Sequence, residues 1–101
     1  MNTLISVAIA PLGTGDELAS SVAKIIDVIE KSGLDYQTHA MTTEIEGDWD
    51  DVFAVVKTAT QVLTDQGQRA YVSLNADVRP GYTKTMTEKI RRLNHARNQI
   101  I

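Results

Sequence analysis

Two segments of the chain alternate between apolar and polar or small residues with a period of two. From Thr3 to Ala10 the odd positions are mostly bulky and the even positions mostly small. From Ala70 to Arg79 every second residue is apolar, and the residues between them are Tyr, Ser, Asn, Asp and Arg. Because successive side chains of a strand point to opposite faces of its sheet, both segments are predicted to be strands with one apolar face. Pro11 and Pro80 end them, since proline has no N–H to donate to a neighbouring strand.

Three other segments place apolar residues three or four positions apart, which predicts helices. The first helix opens with a capping box from Thr14 to Glu17 and ends at Ser32-Gly33. The second is predicted to start at Asp48 and stop at Gln66-Gly67, and the spacing Thr85-x-x-Glu88 opens a third. Its apolar residues Met86, Ile90 and Leu93 are expected on one side of the helix.

Two short strands, residues 34–38 and 41–46, are predicted between the first two helices, with a tight turn near residues 39–40. The resulting order is βαββαβ followed by an extra C-terminal helix. This order predicts an α+β fold of the ferredoxin-like type, with an antiparallel sheet covered by helices on one face, and a single domain over residues 1–101. The other face is expected to carry the small and polar side chains of Ser6, Ala8, Ala10, Ser73, Asn75 and Asp77.

Composition places the chain among ordinary globular proteins, with 43% apolar and 23% charged residues. It has no cysteine, which excludes disulfides and thiol catalysis. The apolar run of residues 4–12 has no basic start and is too short for a signal peptide. No segment approaches the roughly 20 apolar residues that span a bilayer. We therefore expect a cytoplasmic protein with no membrane partner.

Charge is distributed unevenly along the chain. From Lys84 onward there are five basic residues and one acidic residue, a local charge of +4, which leaves −7 on residues 1–83. An acidic body with a basic terminal helix is able to pair with a second copy of itself. The overall charge of −3 argues against a general nucleic-acid binder.

Five carboxylates and the only tryptophan lie within residues 40–52. Asp48 is placed to cap the second helix, and Asp50 and Asp51 fall in its first turn, where carboxylates interact favourably with the helix dipole. Glu46 differs because it ends a strand, and Gly47 beside it allows close approach of another group. Two interpretations of Glu46 stay open: it contacts a ligand, or it bonds only to neighbouring backbone amides.

The same stretch resembles the signature of the YkoF-like thiamine-binding family, in the run Thr43-x-Ile45-Glu46-Gly47-x-Trp49-Asp50-Asp51-Val52. The resemblance extends over essentially the whole chain through three further segments: Pro11-Leu12-Gly13-Thr14, Gly33-Leu34-x-Tyr36 and Asp77-Val78-Arg79. One departure is Glu44, where relatives often have a neutral residue.

The resemblance implies a ferredoxin-like domain that assembles through its open sheet face as a homodimer or homotetramer. It also implies binding of thiamine or its hydroxymethylpyrimidine part in a pocket beside the sheet. The candidate ligand-binding residues are Thr43 and Glu46, which belong to the family motif, with Ser6 and Asn75 added on chemical grounds. Hydroxyl, amide and carboxylate groups match the donors and acceptors of an aminopyrimidine, and a carboxylate favours a cationic thiazolium.

Other functions are weighed against this one. A structural or regulatory oligomerisation module without a small ligand is the main alternative. His39 and His95 lie far apart and lack the spacing of metal ligands, so neither a metal site nor a cofactor is predicted. RNA recognition on this fold uses aromatic residues of the central strands, here the first and third, which have none. No acid–base pair or nucleophile has a convincing partner, so we expect a protein that is not an enzyme.

Overall fold

The computed structural model describes residues 1–13 and 19–100 and confirms the predicted order of elements. The capping box predicted at Thr14 and Glu17 lies outside the described residues. In chain order the elements are β1 (Asn2–Pro11), α1 (Ala19–Lys31), β2 (Asp35–Thr38), β3 (Thr43–Asp48), α2 (Trp49–Thr64), β4 (Ala70–Val78) and α3 (Thr85–Asn98).

The four strands form one antiparallel sheet in the order β2-β3-β1-β4. β1 lies in the centre, where Ile5 is opposite Ile45 of β3 on one side and Ala76 of β4 on the other. The prediction that the first and third strands are central is therefore confirmed, and the arrangement is the ferredoxin-like fold.

The hydrophobic core lies between α1, α2 and the face of the sheet that carries the odd-numbered residues of β1. Burial of apolar side chains on this face supplies the main driving force for folding, since each fully buried aliphatic side chain contributes about 1.5–3 kcal/mol. The buried residues of this core are Ile5, Val7, Ile25, Ile29, Ile45, Val52, Val56, Ala59 and Leu63.

The extra helix, α3, does not pack on that face of the sheet. The sequence-based expectation that the helices cover one face of the sheet is therefore wrong for this helix. α3 starts over the opposite face of the sheet, where Glu46 and Asp77 flank Leu4 in the register. Thr85 and Met86 at its start are buried, but every described residue from position 89 onward is exposed. Only the first turn of α3 is therefore buried against the rest of the described chain, and beyond it Lys89 pairs with Asp77 of β4.

The starts of α2 and α3 also differ from the capping predicted from sequence. Asp48 occupies the N-cap position of α2, but its side chain does not cap the helix. Its Oδ1 accepts a hydrogen bond from the amino group of Met1 at 2.8 Å, and this bond is the main reason that the pKa of Asp48 is lowered. Thr85 is the first helical residue of α3, and Glu88 bonds to Arg91 and not back to the helix start.

No helix within residues 1–13 and 19–100 is both long and apolar enough to cross a membrane.

Two isoleucine-to-alanine substitutions, one in the core and one on α3, test whether the core is buried and α3 is exposed. Ile45 has 0% of its surface exposed and Ile90 has 56%. We expect Ile45→Ala to lower the free energy of unfolding by about 2–5 kcal/mol, because it leaves a cavity. In the monomer Ile90→Ala should change it by less than about 0.5 kcal/mol, as surface substitutions usually do. Urea unfolding of both variants measures the difference, and equal losses would contradict the exposure of α3.

Candidate functional site

The register of the sheet separates the four predicted ligand-binding residues into two groups. Thr43 is opposite Val7, so its side chain lies on the face covered by α1 and α2. Ser6 is opposite Asn75 in β4, and Glu46 is opposite Leu4; these three residues share the other face. The four residues therefore do not form one site on a single chain.

Thr43 lines a cavity of about 310 Å³ between α1, the end of β1 and the β2–β3 turn. Its hydroxyl is buried and donates a hydrogen bond of 3.4 Å to the hydroxyl of Thr38. The two residues are brought together by the register, since Thr38 is opposite Thr43. The apolar walls come from Val7 and Ile9 of β1 and from Val22, Ile25, Ile26 and Ile29 of α1.

The β2–β3 turn forms the remaining side of this cavity with His39, Ala40, Met41 and Thr42. The N–H of His39 donates to the carbonyl of Thr42 at 2.8 Å, which closes the turn. At the edge of the cavity Nε2 of His39 lies 2.9 Å from Oε1 of Glu44. Met41 was expected in a strand but is part of this turn and is almost fully exposed.

The cavity has the chemistry of a small-molecule site. Ligand pockets in proteins are mostly apolar, have volumes of roughly 300–1,000 Å³ and carry a few polar groups that fix the orientation of the ligand. Here the polar groups are the hydroxyls of Thr38, Thr42 and Thr43 and the imidazole of His39. A threonine hydroxyl can donate one hydrogen bond and accept others, so it can meet either edge of a heteroaromatic ring.

Glu46 lies elsewhere, with only 5% of its surface exposed, beneath the start of α3. Its Oε2 accepts hydrogen bonds from the backbone N–H of Thr85 (2.7 Å), the hydroxyl of Thr85 (2.6 Å) and Nδ2 of Asn2 (2.8 Å). Its Oε1 accepts a bond of 3.1 Å from the backbone N–H of Met86. Burial alone raises the pKa of Glu46, but the bonds from Asn2, Thr85 and Met86 outweigh it and hold the pKa below its ordinary value.

These bonds give Glu46 a role in placing α3. The first N–H groups of a helix have no partner within the helix and need an acceptor. The carboxylate of Glu46 supplies this acceptor from β3. The N-terminus of α3 is therefore stabilised although its N-cap residue makes no side-chain hydrogen bond. In this arrangement both carboxylate oxygens already have partners, so a ligand would have to compete with the start of α3.

Ser6 and Asn75 are brought together on the open face, where they line a shallow cavity of about 230 Å³. Glu44, Asp77 and Lys89 share this cavity, and the ammonium of Lys89 pairs with the carboxylate of Asp77. The charges here are therefore partly satisfied within the chain.

Sequence reasoning did not assign a role to Thr38 or His39, although both line the cavity that contains Thr43. The signal was present in the predicted hairpin, because a tight turn near residues 39–40 places the end of one strand beside the start of the next. Among the described residues no group of three or more histidine or carboxylate side chains is arranged to hold a metal ion.

Comparison with known proteins identifies relatives over most of the chain. A family profile described as "Thiamine-binding protein" matches residues 5–94. The UPF0045 protein Mb1933 of Mycobacterium bovis is 40% identical over 91 residues, which cover 89% of each chain.

Solved structures agree with this result. The structure of hypothetical protein MJ1052 from Methanocaldococcus jannaschii is 34% identical, covers 92% of this chain and 96% of its own, and gives a TM-score of 0.80. A Thermotoga maritima protein assigned provisionally to thiamine biosynthesis or salvage has the same fold, with 20% identity, a TM-score of 0.78 and coverage of 92% and 99%.

Replacement of Glu46 tests its role at the start of α3. Glu46→Gln removes the charge and turns one acceptor into a donor that faces other donors. We expect the free energy of unfolding to fall by about 1.5–3 kcal/mol, the usual value of a hydrogen bond to a charged group. The pKa of Glu46 is lowered from 4.5, so its stabilisation is complete above that pH and is lost as the pH falls through the lower pKa of the folded state.

Thermal unfolding of wild type and Glu46→Gln between acid and neutral pH measures both effects. The difference in stability between the two proteins should be constant above about pH 4.5 and should shrink at lower pH. Glu30→Gln, an exposed change on α1, is the matched control and should have little effect at any pH. If Glu46→Gln kept full stability but weakened binding of a ligand, the carboxylate would be a ligand group.

Proposed function

This chain belongs to the thiamine-binding protein family, and we propose that it is a non-enzymatic protein that binds thiamine or its hydroxymethylpyrimidine part. The observation that carries the proposal is the cavity of about 310 Å³ beside the sheet, which contains Thr43 of the family motif. Glu46, the other residue of that motif among our candidates, supports the fold from the opposite face.

The chemistry of the cavity suits an aminopyrimidine. Its flat, methylated ring has apolar faces that match the aliphatic side chains of β1 and α1. Its amino group and ring nitrogens are donors and acceptors in one plane, and Thr38 and Thr43 present hydroxyls that can serve either role. The volume lies at the lower end of the range for ligand sites, which favours the pyrimidine ring as the buried part.

We expect binding without chemical change of the ligand. The described lining residues of the cavity offer hydroxyls and one imidazole, and no carboxylate or amine is among them. General acid–base catalysis needs a group placed to take or give a proton, usually oriented by a second group at the reacting centre. Incubation of thiamine with the protein, followed by chromatography, should return the ligand unaltered.

Substitutions on the two faces of the sheet distinguish the two groups of candidate residues. Thr43→Val keeps the shape of the side chain but removes its hydroxyl. We expect it to weaken thiamine binding about threefold to tenfold, the value of one hydrogen bond of roughly 0.5–1.5 kcal/mol. Asn75→Ala, on the opposite face, should leave the affinity unchanged. Isothermal titration calorimetry of wild type and both variants makes the comparison.

The opposite pattern, with loss in Asn75→Ala and none in Thr43→Val, would move the site to the open face. A wild-type protein that binds neither thiamine nor hydroxymethylpyrimidine would contradict the proposed function itself. Thermal shift gives an independent readout, because a ligand that binds only the folded state raises the melting temperature as its concentration rises.

We also propose that the chain associates with copies of itself as a homodimer or homotetramer. The open face of the sheet carries exposed Tyr71 with the small residues Ala8 and Ala10, and Ile90 and Leu93 are exposed on α3. Apolar surface of this kind is commonly covered by a partner. The basic side chains of α3 and the acidic body provide complementary charge.

A pair of alanine substitutions tests this assembly. Ala8→Arg places a bulky charge on the open face and should shift the protein to monomers, because an unpaired buried charge is costly. Ala54→Arg makes the same change on the exposed side of α2 and should leave the assembly intact. Light scattering at micromolar concentration measures the mass, and a wild-type monomer would contradict the proposal.

A further inference from the structure

The ion pair between His39 and Glu44 lies at the edge of the proposed ligand cavity. The imidazole of His39 lines the cavity, whereas Glu44 projects from β3 toward the other face of the sheet. Nε2 of His39 and Oε1 of Glu44 are 2.9 Å apart. The carboxylate of Glu44 therefore lies at the edge of the cavity, beside His39.

The contact places a negative charge beside the cavity. The cross-strand neighbours of Glu44 are Ser6 in β1 and Gln37 in β2, and both are uncharged. Lys89 lies in the shallow cavity that Glu44 borders, but its ammonium pairs with Asp77. The side chain of Glu44 is 33% exposed, so its field is partly screened and its effect on a bound ligand is moderate.

We propose that the carboxylate of Glu44, which lies beside His39, sets the charge preference of the cavity. It favours a ligand that carries a cationic ring next to the pyrimidine, as thiamine does, over the neutral pyrimidine alone. The inference rests on the proposed function, because it concerns the same cavity. The pyrimidine contacts hold either ligand, and Glu44 discriminates between them by charge.

The test measures a ratio of affinities, because a general loss of structure would weaken both ligands. The dissociation constants of thiamine and of hydroxymethylpyrimidine are measured by calorimetry at one pH, the same for the wild type and every variant. In Glu44→Gln the preference for thiamine should fall about threefold to tenfold, in keeping with a partly screened charge interaction. Glu44→Asp keeps the charge and should retain most of the preference.

Asp50→Asn is the matched control, since it removes one exposed carboxylate near the opposite end of the sheet. Asp50 follows β3 at the end where Asp48 is opposite Asn2, whereas the cavity lies at Val7 to Ala10. At about 3.3 Å per residue this separation exceeds the Debye length of about 8 Å in physiological salt. The preference of the Asp50→Asn variant for thiamine should equal that of the wild type.

The outcomes separate this inference from the proposed function. An unchanged preference in Glu44→Gln, with both ligands still bound, overturns the role of Glu44 and leaves the proposed function standing. A wild-type protein that binds neither ligand overturns both. In the wild type, raising the salt concentration should reduce the preference as well, because ions screen the charge of Glu44, and a preference independent of salt would overturn the inference.

Discussion

The pairing of β1 with β3 on one side and β4 on the other is the constraint on which the rest of the structure depends. Because side chains alternate between the faces of a sheet, this one register assigns every residue of the central strands to a face. Odd positions of β1 meet α1 and α2 and form the core, and even positions meet the open face and the start of α3. A shift by one residue would exchange the two sets.

Because side chains alternate between the two faces, the carboxylates of residues 44–51 have several unrelated structural roles. Glu44 lies beside His39 at the edge of the cavity, and Glu46 accepts hydrogen bonds from the start of α3. Asp48 bonds to the amino group of Met1, and Asp50 and Asp51 lie in the first turn of α2. These carboxylates are therefore close in sequence, but Glu44, Glu46 and Asp48 each contact a different partner.

The two faces of the sheet also differ in what they can bind. The helix-covered face encloses an apolar cavity with a few hydroxyls and one imidazole at the β2–β3 turn, which suits a small heteroaromatic ligand. The open face carries a shallow, polar cavity, and two of the charges in it are paired with each other, Lys89 with Asp77. Thr43 thus serves the proposed ligand cavity, and Ser6 and Asn75 belong to the surface proposed for assembly.

The sequence by itself determined the order of elements, the central strands and the family, because periodicity, Gly and Pro positions and motif spacing are local properties of the chain. Only the tertiary structure decided the partners of individual polar groups. Glu46 and Thr85 are 39 positions apart, and their contact depends on how α3 meets the sheet. The cavity that joins Thr43, Thr38 and His39 likewise requires α1 to pack over the hairpin. Such contacts form between distant segments, so no local pattern records them.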